Sequence, residues 1–370
     1  MPKTGTSSIQ EYLYLCLRDR NFFYINFGEA NASKALSTIS LDEPEKYWIH
    51  QRKGISVAQT AKLRARYIKH LNRSLQRSKQ NGQTAVLSGE DCWKLGHKEL
   101  QYLKQVIARN GFEIHLIVYL RPYLSWLESS FQQKVKWGFL RNNPLAPDTA
   151  DNDYGHLDYL SILNRLADVF GESSLIIRPY RRRELTKGCV VRDFCAQAGI
   201  NSQGTTVRRT NDGISLDAVR FFYSYWKFAS KQQTPSMRQN NALIHCLQEL
   251  PGEKLRFHSS IMTPVANRVE QQRSQILARF GIDLGTGQAA DETAPNIVRC
   301  EEDLYQFNPE SLVWLSARSG CRPIHGQGES TARLVAAAME RLRHRALWTH
   351  WHPMARQRLR MEWKRWTRWG

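Results

Sequence analysis

Apolar and polar positions alternate in a strand–helix rhythm through the first two hundred residues. Ile9, Leu13, Cys16 and Leu17 fall on one helical stripe. The aromatic-rich stretch from Asn21 to Phe27 predicts a strand. Ser56 to Gln80 predicts a basic amphipathic helix, ended by Asn81-Gly82. Thr84 to Leu87 predicts a short buried strand, and Lys98 to Asn110 a helix stopped by Gly111. Glu113 to Leu120 carries the strongest strand pattern in the chain, with His115 placed among its core residues. Pro122 then opens a helix that runs to Trp137 and ends at Gly138. Asn142 to Asp153 reads as a loop. Leu157 to Phe170 predicts a helix, Leu175 to Arg178 a strand, and Val190 to Ala198 a helix stopped by Gly199. Strands separated by helices call for an α/β fold with a central parallel sheet. After Ile200 the pattern is helical and less regular. Residues 1–280 read as one domain, 281–294 as a Gly/Asp/Thr-rich linker, and 295–370 as a basic, Trp-rich extension that includes a helix from Ala332 to Arg345.

The first ten residues change this picture from fold to chemistry. Met1-Pro2-Lys3-Thr4-Gly5-Thr6-Ser7-Ser8 runs straight into the Ile9 helix. Gly5 lets the backbone approach an anion closely. Thr6, Ser7 and Ser8 offer hydroxyls, and the helix start offers N–H groups and the positive end of a dipole. Lys3 adds a positive charge. Lys precedes the Gly here, so this is not the Gly-x-x-x-x-Gly-Lys-Ser/Thr loop of common nucleotide-binding proteins.

Two further segments stand where ligands bind in open parallel sheets, at the carboxyl ends of strands. Glu90 follows the strand ending at Leu87. Arg121 follows the strand ending at Leu120, with Ser129 eight residues on in the next helix. A guanidinium can grip a phosphate with paired hydrogen bonds, and a hydroxyl two turns into the helix can reach the same group.

Together these segments resemble the sulfotransferase family, whose donor is 3′-phosphoadenylyl sulfate (PAPS). Pro-Lys-Thr-Gly-Thr-Ser-Ser-Ile is similar to that family's 5′-phosphosulfate loop. Arg121 and Ser129 match its 3′-phosphate motif, and Ser88-Gly89-Glu90 looks like the Ser-x-Glu segment of its carbohydrate and heparan-type members. The resemblance implies a P-loop-like three-layer α/β fold with a helical C-terminal region. It implies donor binding by Lys3, Gly5, Thr6, Ser7, Ser8, Arg121 and Ser129, with Glu90 as general base and Lys3 as charge stabiliser. PAPS would be the co-substrate, no metal would be needed, and the acceptor would be a hydroxyl, on a carbohydrate. Arg178 to Arg181 and Val190 to Phe194 resemble the family's third strand and following helix, as framework. The likeness covers about the first 200 residues. Asn211, with Arg208 and Arg209, continues it faintly. The family places a hydrophobic strand before its Pro-Lys loop. That strand is lacking here, which leads to the expectation of a late start, a fragment or a degenerate copy, and of poor stability for the polypeptide beginning at Met1.

Charge and composition narrow the partners. The net charge is +19 (53 Lys and Arg against 34 Asp and Glu), which suits an anionic partner. Residues 341–370 carry nine of those cations and one Glu. Trp348, Trp351, Trp363, Trp366 and Trp369 lie among them, so that tail is expected to pack on the domain or touch a membrane surface; contact with an anionic glycan or nucleic acid is a weaker fit. No apolar run approaches the ~18 residues of a spanning helix, and Lys3 to Ser8 is too polar for a secretory leader. Seven cysteines, an odd number with no C-x-x-C spacing, give no metal signal and favour a reducing, cytoplasmic setting. His344, His350 and His352 lack the partners a metal site needs. Two rivals follow from the same residues. A P-loop kinase would need a Mg²⁺-binding carboxylate in a matching place. A non-catalytic protein recognising an acidic glycan or nucleic acid would explain the charge, but not the Arg121–Ser129 spacing.

Overall fold

The computed structural model describes residues 1, 3–140, 145, 158–203, 213–229, 236–285, 294 and 296–346. The Trp-rich tail beyond 346, most of the 142–153 loop, and Arg208, Arg209 and Asn211 lie outside the described residues. The chain is mixed α/β and mostly helical, with short parallel strand pairs.

It divides into two compact units built from interleaved segments. The first takes residues 1–123, 149–211 and 267–287. The second takes 124–148, 212–266 and 288–370. The stretch read as a linker, 281–294, thus contains one crossing between units, and the second unit also draws on two earlier segments.

In the first unit, α1 (Thr6–Leu15) leads to β1 (Phe22–Tyr24), α2 (Ser33–Ser40), α3 (Trp48–Arg52), α4 (Val57–Gln80), β2 (Thr84–Val86), α5 (His97–Ala108) and β3 (Leu116–Leu120). After the second unit contributes α6 (Tyr123–Trp137), the chain returns with α7 (Tyr159–Phe170), β4 (Leu175–Pro179) and α8 (Val190–Ala198). The strands pair in parallel, β1 with β2 and β3 with β4, in registers Phe22↔Thr84 and Leu116↔Leu175. Among the described residues these pairs are separate two-stranded ladders.

Local signals explain the helix ends. Ser56 caps α4: its hydroxyl accepts from Gln59 N–H at 3.3 Å while the Gln59 side chain accepts from Ser56 N–H at 2.9 Å. Gly199 closes α8 in the left-handed conformation. One core cluster joins α1, β1, β3 and α8. Ile9, Tyr12 and Leu13 of α1, Tyr24 of β1, Tyr119 of β3, and Val190, Val191 and Cys195 of α8 are buried together.

Two sequence expectations are corrected here. Glu113, Ile114 and His115 precede β3, and His115 is exposed rather than in the core. The partner strand explains it: β4 begins at Leu175, directly after a 3₁₀ turn over Glu172–Ser174, so the β3–β4 ladder starts only at Leu116. The β2 strand is also shallower than expected, with Thr84 exposed and Ala85 and Val86 half-buried.

The second unit gathers α9 (Leu216–Phe228), α10 (Met237–Gln248), a parallel pair β5 (Arg256–Phe257) and β6 (Ile297–Val298), α12 (Pro309–Ser319) and α13 (Gly328–Ala346). The remaining helix, α11 (Ala266–Phe280), belongs to the first unit from residue 267. Helix α13 packs against α9, α10 and α12. The side chain of Glu128 on α6 is buried and accepts from Phe257 N–H at 3.0 Å and Arg256 at 3.1 Å. No helix among the described residues is long and apolar enough to cross a membrane.

Candidate functional site

The opening loop is tightly curled. Lys3 and Gly5 both have positive φ, 63° and 74°, and bracket Thr4. A left-handed lysine stores strain of about 1–2 kcal/mol, held here by local bonds. Thr4 Oγ1 donates to the Met1 carbonyl at 2.5 Å and Thr6 Oγ1 to the same oxygen at 3.1 Å. Gly5 is required twice over. Its φ favours glycine, and a Cβ there would meet Val190 Cγ1 at 2.8 Å and the Tyr180 hydroxyl at 3.2 Å.

Helix α1 starts from this loop without a capping side chain and without an acidic residue in its first turn. The N–H groups of Ser8 and Ile9 return to the Gly5 carbonyl at 3.0 and 3.2 Å. The earlier N–H groups and the positive end of the helix dipole therefore face whatever lies before the helix. Ser7 in that first turn is exposed.

Arg121 is brought to the loop. Its Nη1 donates to the Lys3 carbonyl at 2.8 Å, and its guanidinium lies 5.5 Å from the centroid of the Tyr180 ring. The two residues leave adjacent strands: Arg121 follows β3 and Tyr180 follows β4, with Tyr180 N–H donating to the Leu120 carbonyl at 2.6 Å. The buried Tyr159 hydroxyl donates to the Arg121 carbonyl at 3.0 Å and fixes that backbone from the other side.

Glu90 approaches from the β2 side. The turn carrying it is docked on α1, because Gln10 Nε2 donates to the Ser88 hydroxyl at 3.1 Å. It is docked on α2 by the Ala32 N–H to Ser88 carbonyl bond, 2.9 Å. Gly89 permits this packing, since a Cβ would meet Cys92 Sγ at 2.8 Å and Leu36 Cδ1 at 3.0 Å. The half-buried Glu90 carboxylate makes no side-chain hydrogen bond or ion pair among the described residues. Its neighbour Asp91 is fully committed: it accepts from the Tyr47 hydroxyl at 2.6 Å and Trp48 Nε1 at 3.2 Å and pairs with Lys94. Of these two carboxylates, Glu90 is the one without a side-chain partner among the described residues.

Beneath the loop lies a buried ion pair. Asp193, at the start of α8, is fully buried. It accepts from Arg178 (Nη2, 3.0 Å), the Tyr119 hydroxyl (2.8 Å) and Thr186 N–H (3.0 Å). Burial alone would raise this carboxyl; those three donors outweigh it and hold it below the usual carboxylate range. Arg178 and Tyr119 are register partners on β4 and β3, so Asp193 clamps the two strands from which Tyr180 and Arg121 emerge.

Lys3, Gly5, Thr6, Ser7, Ser8, Glu90 and Arg121 all belong to the first unit. Ser129 lies on α6 within the second. Sequence reasoning did not single out Tyr159, Gln10 or Asn31, which supports the Glu90 turn through its side-chain oxygen. It read Tyr180 as framework, although its place one residue past a strand mirrors that of Arg121.

No family model matches the chain, and no solved structure does. An uncharacterized protein of Archaeoglobus fulgidus is 34% identical over 86 residues, 23% of this chain. The match spans 22% of that relative's length.

Proposed function

We propose that the protein is a sulfotransferase that moves a sulfuryl group from PAPS to a hydroxyl, on a carbohydrate. One observation carries the proposal: the Arg121–Lys3 hydrogen bond joins the residue matched to the 3′-phosphate with the loop matched to the 5′-phosphosulfate. The two phosphate-binding elements of the resemblance, 118 residues apart in sequence, thus share one corner of the first unit. The uncommitted carboxylate of Glu90, docked through Ser88 onto the same helix that carries the loop, supports it further.

In this proposal the parallel pairs are parts of a P-loop-like three-layer arrangement. The acceptor oxygen attacks sulfur in line with the bridging phosphate oxygen. The new O–S bond forms as the old S–O bond breaks, and 3′,5′-ADP leaves. The acceptor proton passes to Glu90. Lys3 and the N–H groups at the start of α1 meet the charge that grows on the departing phosphate. Arg121 grips the 3′-phosphate, which ordinary nucleotides lack, with Ser129 assigned to the same group by the resemblance. The catalytic power comes from positioning and electrostatics. No residue forms a covalent intermediate.

The test is transfer from labelled PAPS to a panel of glycans by the wild type and by Glu90→Gln. The wild type transfers label; the variant loses transfer while keeping donor affinity within a few-fold. Near-normal turnover in the variant assigns the proton to another group. Donor binding with no transfer to any acceptor favours a non-catalytic anion-binding protein.

A further inference from the structure

Gln10 lies on the buried side of α1 and is 2% exposed. The other buried residues of that helix, Ile9, Tyr12 and Leu13, belong to the core. An amide in such a place is unfavourable unless it is hydrogen-bonded, and an apolar side chain would extend the stripe without that requirement. Here the amide is bonded. Its Nε2 donates to the Ser88 hydroxyl at 3.1 Å and to the Ser88 carbonyl at 3.4 Å.

The positions of the two partners give this bond its meaning. Helix α1 begins at Thr6, so Gln10 falls four residues on, on the same face as Thr6 and about 6 Å further along the axis. Ser88 stands two residues before Glu90, which opens a 3₁₀ turn over Glu90–Lys94. The path from the opening loop to the Glu90 carboxylate thus runs through one turn of α1, Gln10 and Ser88. Three further bonds hold the same turn to the start of α2. Ala32 N–H donates to the Ser88 carbonyl at 2.9 Å, Glu90 N–H to Asn31 Oδ1 at 3.4 Å, and Asp91 N–H to Ser33 Oγ at 2.9 Å. Removing the Gln10 amide leaves those three in place and releases the turn from α1.

We propose that Gln10 is a positioning residue for sulfuryl transfer, which acts through Ser88 to fix Glu90 against the loop that holds the donor. This rests on the sulfotransferase reading. The acceptor oxygen has to meet the sulfur and the Glu90 carboxylate together: its O–S bond forms, the S–O bond to the phosphate breaks, and its proton passes to Glu90. The sulfur is placed by the loop and the base by the turn, so the rate depends on the distance between them. Gln10 touches none of the reacting atoms and exchanges no proton. A neutral amide suits the task, since it ties the turn down without adding a charge that would shift the proton affinity of Glu90.

The experiment is a double-mutant cycle on the full chain. Gln10→Met keeps the length and flexibility of the side chain and removes its donor. It is made in the wild type and in Glu90→Gln, and single-turnover transfer from labelled PAPS is measured with the panel glycan that the wild type labels best. In the wild-type background Gln10→Met should slow transfer roughly 100-fold, with 3′,5′-ADP affinity within about threefold by calorimetry and a nearly unchanged melting temperature. In the Glu90→Gln background the same substitution should cost less than about twofold, because the group it positions is already gone. Equal losses in the two backgrounds overturn the proposal, as do wild-type rates in Gln10→Met. A fall in 3′,5′-ADP affinity that matches the fall in rate overturns it too, and makes Gln10 a support of the donor loop. Those outcomes refute the role of Gln10 in a protein that transfers sulfate. A wild type that labels no glycan and does not bind 3′,5′-ADP refutes the transferase reading and this proposal with it.

Discussion

Replacing Asp193 with Ala should loosen the platform from which the site residues emerge. The substitution leaves Arg178, the Tyr119 hydroxyl and Thr186 N–H without their shared acceptor. Removing one partner of a buried ion pair costs about 3–5 kcal/mol. The Arg178 side chain retains 28% exposure, so water can recover part of its loss. Tyr119 is 4% exposed and cannot be rescued in the same way, which adds about 1 kcal/mol. The two effects leave an expected loss of about 3–4 kcal/mol. For a unit of this size that lowers the melting temperature by roughly 6–16 °C. Hydrogen exchange resolved by mass spectrometry is the sharper assay, because it reads β3 and β4 directly. Peptides covering 116–120 and 175–180 should lose protection, while those of α13 in the second unit should not. The dependence on pH has a definite sign. The Asp193 carboxyl is held below its ordinary value, so its stabilisation is full above about pH 4 and is lost as pH falls through its folded value. The wild type's advantage over Asp193→Asn should therefore shrink on acidification below about pH 4. A loss under about 1 kcal/mol in Asp193→Ala, or unchanged protection of the two strands, would show that the network does not hold them together.

Gly5→Ala forces a Cβ into Val190 at a left-handed position; calorimetry should show 3′,5′-ADP affinity reduced tenfold or more, and unchanged affinity would mean that the loop shape does not matter. Lys3→Ala should lower kcat on the order of 100-fold with little change in KM, whereas an effect confined to KM would make Lys3 a binding residue only.

Local signals were legible in the sequence and long-range ones were not. The start of α4 is written in Ser56 and Gln59, and the end of α8 in Gly199, because capping acts within one turn. The loop at Lys3–Ser8 was readable for the same reason. Strand pairing is non-local: the sequence pattern places the strand from Glu113, but β3 begins only at Leu116, where Leu175 offers a partner. The clamp by Asp193 joins residues 74 apart, and nothing near Tyr119 in the sequence announces it. The commitment of Asp91, and hence the choice of Glu90, depends on Tyr47 and Trp48, more than forty residues away. The assignment of α6, with Ser129, to a different unit from Arg121 follows from how segments interleave and leaves no trace in the local pattern.

The central claim is a site that reads both ends of a 3′-phosphorylated nucleotide, and thermal shift with two nucleotides tests it most directly. At about 100 times its dissociation constant, 3′,5′-ADP should stabilise the protein by about 2.7 kcal/mol, a rise of several degrees in melting temperature, while 5′-AMP at the same concentration should give almost none. Equal shifts with the two nucleotides, or no shift with either, would contradict the account.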